Sequence, residues 1–487
     1  LALPVLGFTN AHKGLYYLNR NSFWSHPKEI NMHDHNQAIR QFTQAIAQNP
    51  ENLQAFISRA EAYEKNGDYE RAVADYTEAL GLNSSRAEVY YRRGNLNRKM
   101  GLIPAALADF SAAIRLEPTN AKNWVGRGNT YYRQRNFEPA SADYSQALRL
   151  EPNYTSALYN RGVCYAAVGR DEPALADFEA VLALTPSDSA ARLSRAHLYA
   201  KHGRYEVAIA DYSQVLTLDP DEILAYTGRG GCLAELGQDE LALADFEKAL
   251  QLDPQHSQAL AGKALIQLRF DNWAAAAESY DQAIRFNPHD AELFIGRGLT
   301  RFRLGHFEQA LADYAEAIRL DPASPHGAFG RASVYAQQAD HGRAIVNFSQ
   351  VLRLDANFLP ARWGRAKSYQ DSGEHERALE DYSQIILVNP QAAAAFFNRA
   401  LSYHFLGQVE AAQADYLQAL RLNSEDGSAC YNLACLLARQ NQANEALEYL
   451  HQALSLGNIA PASVQADPEL ASLRQDSRLA MLLAKFM

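Results

Sequence analysis

The chain offers few groupings of residues that could do chemistry, and each fails on geometry. His33-Asp34-His35 is the nearest approach to a metal cluster, but side chains two apart on a helix point in different directions, so solvated capping is the simpler role. Gly126-Arg127-Gly128, Gly228-Arg229-Gly230 and Gly296-Arg297-Gly298 suggest a phosphate-cradling loop. They lack the third glycine and the preceding strand that a dinucleotide fingerprint needs. No Walker loop, HExxH or GxSxG is present, and the histidines are scattered. Cys164, Cys232, Cys430 and Cys435 have neither disulfide-framework nor paired zinc spacing, which favours a reducing, cytoplasmic setting. The expectation is no catalytic residue, no metal and no cofactor.

Two charged types do recur together. Arg stands at Arg59, Arg93, Arg127, Arg161, Arg195 and Arg229, and again at Arg297, Arg331, Arg365 and Arg399. Asp follows each at a fixed distance, from Asp75, Asp109 and Asp143 through Asp381 and Asp415. The match is broken in two places: Lys263 accompanies Ser279, while Arg331 survives beside Asn347. A partly buried Arg needs a carboxylate, and a bidentate fork would also fix helix register, so a structural ladder is one reading and ligand contact the other.

The elements that carry these residues are read from the spacing. Prolines from Pro118 through Pro322 recur every 34 residues, and the same ruler on alanine lands without a miss from Ala38 to Ala446. Within one unit, Trp124, Gly128 and Tyr131 fall at helical spacing, as do Ala140, Tyr144 and Ala147, so each unit is two amphipathic helices. Glycines such as Gly67, Gly101 and Gly169 mark the turn between them. Small Gly94, Gly128 and Gly162 face large Phe110, Tyr144 and Phe178.

Trp124-x-x-Arg127-Gly128-x-x-Tyr131, Ala140-x-x-x-Tyr144 and Pro152 together resemble the tetratricopeptide signature, with Arg where Leu is usual. The resemblance runs from about Asp34 to Asn458. It implies an all-α fold, a right-handed superhelix of stacked helix pairs without a central catalytic cleft. The expected organisation is an N-terminal arm over 1–32, a repeat array over 33–460 with a half unit and about twelve full units, and capping helices over 461–487.

In this family the first helix of each pair lines a concave groove, so partner contacts are sought there. One residue past the Trp124 slot, four consecutive units carry Phe329, Trp363, Phe397 and Tyr431. On helices roughly 8 to 10 Å apart these would form an aromatic track for an apolar peptide. Core packing is the other reading, because Ala328 and Arg362 leave the adjacent slot poorly filled. A basic group, Arg92, Arg98, Lys99, Lys122, Arg133 and Arg135, could receive an acidic peptide, a C-terminal carboxylate or RNA, or be a solvated face. Asn129 and Asn160 match the asparagines of the carboxylate clamp in chaperone-binding members, but Val125, Ala190 and Ser194 stand where its cations would be. A chaperone tail is therefore not expected, while a peptide backbone is.

The formal charge of −10 disfavours general nucleic-acid affinity, and no apolar run is long enough to cross a bilayer. The expected function is a non-catalytic scaffold or adaptor holding a protein or peptide in its groove. RNA or polyanion binding through the basic units is the second reading, and a substrate-recruiting arm of an enzyme whose catalytic domain lies elsewhere is the third.

Overall fold

A computed structural model describes residues 32–457 and 459–486. Residues 1–31 of the expected arm, and the side chains of His33 and Asp34, lie outside the described residues. The described chain is helical without strands and falls into two compact units that divide between Pro254 and Gln255. The first begins with a lone helix, Met32–Gln48, then has helix pairs from Leu53–Lys65 with Tyr69–Leu82 to Ile223–Glu235 with Asp239–Leu252. The second runs from the pair Ser257–Arg269 and Trp273–Phe286 to Gly427–Arg439 and Ala443–Ser455. It ends in the short helix Pro461–Ala466, a 3-10 turn at Pro468–Leu473 and the helix Ser477–Ala484.

Local chemistry sets the boundaries. Asn52 and Asp68 accept from the backbone N–H groups of Ala55 and Arg71, capping two helix starts, and Pro104 sits where a first-turn N–H has no partner anyway. The turn inside each pair needs a positive φ, as at Gly67 with φ 79°. Where glycine is missing the conformation persists: Arg135, Asp271, Ala339 and Asn441 have φ between 54° and 62°. The stacked helices therefore impose the turn, at a cost of about 1–2 kcal/mol per such residue.

Every alanine of the ruler from Ala72 to Ala446 is fully enclosed. Large rings then fill the space between helices. A Cβ on Gly128 would stand 2.9 Å from the Tyr144 ring of its own pair, and one on Gly126 would overlap the Phe110 ring of the preceding pair. Gly228 and Gly230 admit Tyr212 and Phe246 in the same way, and Gly296 and Gly298 admit Tyr280 and Tyr314. The Gly-Arg-Gly triplets are thus the joint between neighbouring pairs. Burying roughly 200 Å² of ring at about 25 cal/mol per Å² gives about 5 kcal/mol, which outweighs the ~1 kcal/mol cost of a helical glycine.

Candidate functional site

The arginine between those glycines bonds through all three of its nitrogens. Arg127 donates from Nε and Nη2 to the two carboxylate oxygens of Asp143, both at 2.8 Å, and from Nη1 to Ser111 Oγ at 3.2 Å. Arg59, Arg93, Arg161, Arg229, Arg365 and Arg399 repeat the arrangement, each with its own Asp and a Ser or Thr from the preceding second helix. The bond to Asp143 is the largest effect holding the Arg127 guanidinium above its usual value. Each arginine ties three helices together and spends its Nε–Nη2 edge on a carboxylate, which makes the ladder structural. The hydroxyl partner went unread in the sequence, although Thr43, Thr77, Ser111 and Ser145 keep the same 34-residue step. At Arg331 the fork is lost: only Nε reaches Asn347 Oδ1, at 2.7 Å, and Nη2 stretches 3.5 Å to Gln350.

The aromatic row is packed more deeply than a ligand track requires. Phe329 is 1% exposed, with the Phe348 and Phe358 rings 5.8 and 5.2 Å from it, so it belongs to the core and cannot touch a partner. Trp363 and Phe397 are half-buried, leaning on Tyr382 and Tyr416 at 5.6 and 6.1 Å. Tyr431 donates to Asp467 Oδ2 at 2.5 Å, which fastens it to the C-terminal cap. The slot beside the row is better filled than its residues suggest. Arg362 donates to Ala356 O at 2.7 Å and stands 3.4 Å from Asp381, taking the place of the Trp124 indole, which donates to Pro118 O at 2.9 Å.

The basic group also separates. Arg92 is spent on Glu88 at 2.8 Å and Glu61 at 3.6 Å, and Lys99 lies 5.2 Å over the Tyr69 ring. Lys122 is exposed in the first turn of Ala121–Arg133, and Arg135 occupies the positive-φ turn. What remains together is Arg98 and Arg133, whose Nη1 donates to the Arg98 carbonyl at 2.6 Å.

Beside them lies a chain of amides. Asn129 Oδ1 accepts from the Tyr144 hydroxyl at 2.6 Å and from Asn160 Nδ2 at 3.0 Å, joining the first helices of two successive pairs. Burial drives Tyr144 well above its ordinary value of 10, so its hydroxyl keeps its proton and donates. Asn129 Nδ2 and Asn160 Oδ1 form no further hydrogen bond among the described residues, leaving an NH2 group and a carbonyl oxygen that can serve the C=O and N–H of a peptide group.

Three sequence models, each described as tetratricopeptide repeat, match the chain. They cover residues 128–198 and 263–332; residues 29–87, 57–121, 91–140, 193–256 and 364–426; and residues 427–458. The chain belongs to the tetratricopeptide-repeat family. No curated protein sequence matches it closely enough to count as a relative. Among solved structures it is similar to a tetratricopeptide repeat protein from Parabacteroides merdae ATCC 43184, with 21% identity over 51% of this chain and 98% of that one and a TM-score of 0.44. It is similar to YrrB, described as a TPR protein with an unusual peptide-binding site, with 26% identity over 39% and 97% and a TM-score of 0.36. A third is the APC/C hetero-tetramer Cut9–Hcn1, with 16% identity over 93% of each chain and a TM-score of 0.43. Among the described residues of this tetratricopeptide protein, no helix is long and apolar enough to cross a membrane and no three His, Cys, Asp or Glu gather as a metal site.

Proposed function

We propose that this protein is a non-catalytic scaffold that holds a segment of another protein against the first-helix face of its repeats, with Asn129 and Asn160 gripping the segment's backbone. The observation that carries this reading is the Tyr144–Asn129–Asn160 hydrogen-bond chain. It fixes two amides from neighbouring helices and leaves a donor and an acceptor unspent. A backbone contact of this kind gives affinity without demanding one sequence. A nucleic-acid partner is disfavoured by the formal charge of −10 and by the pairing of Arg92 with Glu88.

A photo-crosslinker at exposed Lys122, compared with one at exposed Arg149 on a second helix, tests this in the native host. Protein adducts specific to position 122 that disappear with Asn129→Ala plus Asn160→Ala are the expected result. The same adducts from both positions, or adducts indifferent to the asparagines, would overturn it.

A further inference from the structure

Arg98 is a half-buried arginine with no carboxylate partner among the described residues. On the same helix the ladder arginine Arg93 holds a carboxylate with Nε and Nη2, Asp109 at 3.0 and 2.7 Å. Arg98 has only the neutral Asn95, reached from Nη2 at 3.1 Å, and its Nε is enclosed with no acceptor. The charge that bears on it is another cation, Arg133. Burial first and Arg133 second push Arg98 below the usual guanidinium range. The fold thus bears an uncompensated, half-buried cation, which is ordinarily selected against unless something else pairs with it.

The place is informative too. Arg133, which bonds the Arg98 carbonyl, lies one turn beyond Asn129 on Ala121–Arg133, and Asn129 holds both the Tyr144 hydroxyl and Asn160. The cation and the amide pair therefore share one patch across three consecutive first helices, Ala87–Lys99, Ala121–Arg133 and Thr155–Ala167. The planar fork of a guanidinium matches a carboxylate in shape and in single charge.

We propose that Arg98 is an anion receptor for a carboxylate carried by the bound segment, set beside the backbone grip of Asn129 and Asn160. This rests on the reading of those asparagines as peptide-holding. An Asp or Glu side chain and a free C-terminus present the same chemistry, and the test separates them.

Random ten-residue peptides are displayed to the full chain in two formats, one with a free C-terminus and one with the peptide internal. Recovered peptides are expected to carry Asp or Glu at one fixed place if a side chain is read, and to come only from the free-terminus format if a terminal carboxylate is. Arg98→Met should weaken a recovered peptide about ten- to hundredfold, and Arg98→Lys less. Changing the peptide's carboxylate to an amide should cost as much on the wild type and nothing further on Arg98→Met. That arm leaves the protein unaltered and stands even if a variant folds poorly. Arg98→Met should also melt no lower than wild type, because it removes an unpaired charge.

Peptides that require Asn160 yet show neither a carboxylate preference nor sensitivity to Arg98 would overturn the receptor and leave the scaffold reading standing. No peptides in either format would overturn both. A large drop in melting temperature for Arg98→Met, like that of a ladder arginine, would assign Arg98 to structure.

Discussion

Replacing Arg297 with Met tests the ladder on the pair Ala291–Arg303 and Phe307–Leu320. The change removes bonds from Nη2 and Nε to Asp313, at 2.6 and 3.1 Å, and one from Nη1 to Asp281 at 2.6 Å. Asp313 is 3% exposed and cannot turn to water, but it keeps Arg301 at 2.8 Å. Stranding a buried charge costs about 3–5 kcal/mol, so with one partner left the expected loss is about 2–3 kcal/mol, and Arg297→Met/Arg301→Met should lose about 4–5 kcal/mol. The control is Arg319→Met: Arg319 and Glu316 are also 2.6 Å apart but largely in solvent, and no measurable change is expected. Burial already holds the Asp313 carboxyl above its ordinary value, and Arg297 is the foremost influence pulling it down. Removing that cation moves the carboxyl higher. A carboxyl raised in the folded state opposes folding once it ionises, so the deficit should be full at neutral pH and shrink as the medium becomes mildly acidic. Because opening in a repeat array is local, amide hydrogen exchange over the two helices is the suitable assay. A negligible deficit, one equal to that of Arg319→Met, or one indifferent to pH would refute the reasoning.

Gly126→Ala should lower the thermal midpoint, since the new Cβ overlaps the Phe110 ring, at a cost of about 1–3 kcal/mol that exceeds the ~1 kcal/mol gained in helix propensity. Ala339→Gly should raise it by relieving a φ of 58°, with a gain of about 0.5–1 kcal/mol in chemical denaturation; a loss would show that the turn is not strained. Burial, the foremost cause in each case, pushes Cys164, Cys232 and Cys435 up to about 12 and Cys430 to about 11. Iodoacetamide at mildly alkaline pH should therefore leave all four unmodified in the native protein and label all four after denaturation, as mass spectrometry would show.

The repeat was legible because its signals are local and periodic: the alanine ruler and the glycine turns each report one helix or one turn. What sequence spacing conveyed poorly was depth. Phe329, Trp363, Phe397 and Tyr431 share a slot, yet whether a ring in that slot meets solvent is decided by what stands over it, Phe358 for the first and Asp467 for the last. Arg362 looked like a gap because its type does not pack like Trp, whereas the backbone carbonyl of Ala356 gives it a reason to lie there. Asn129 and Asn160 were picked out by resemblance, but their link through Tyr144 depends on the distance between two helices, which spacing along the chain does not encode. Arg98 stood among the basic residues with nothing to set it apart, since the absence of a partner can be seen only once every neighbour is placed.

The joint between pairs bears on how such a chain can change length. Tyr314 seats against Gly330, and Phe348 seats against Gly364 in the same way. Excising residues 325–358 as one 34-residue quantum would bring Tyr314 to Gly364 with a ring still entering a vacancy shaped for a ring. The graft would heal incompletely, because Arg365 now finds Ser349 at 3.1 Å and would instead meet Ala315. Removal of a whole quantum thus reseats the ring and exchanges a hydroxyl, whereas a deletion of another length across this joint would leave Tyr314 out of phase with the glycine it must meet.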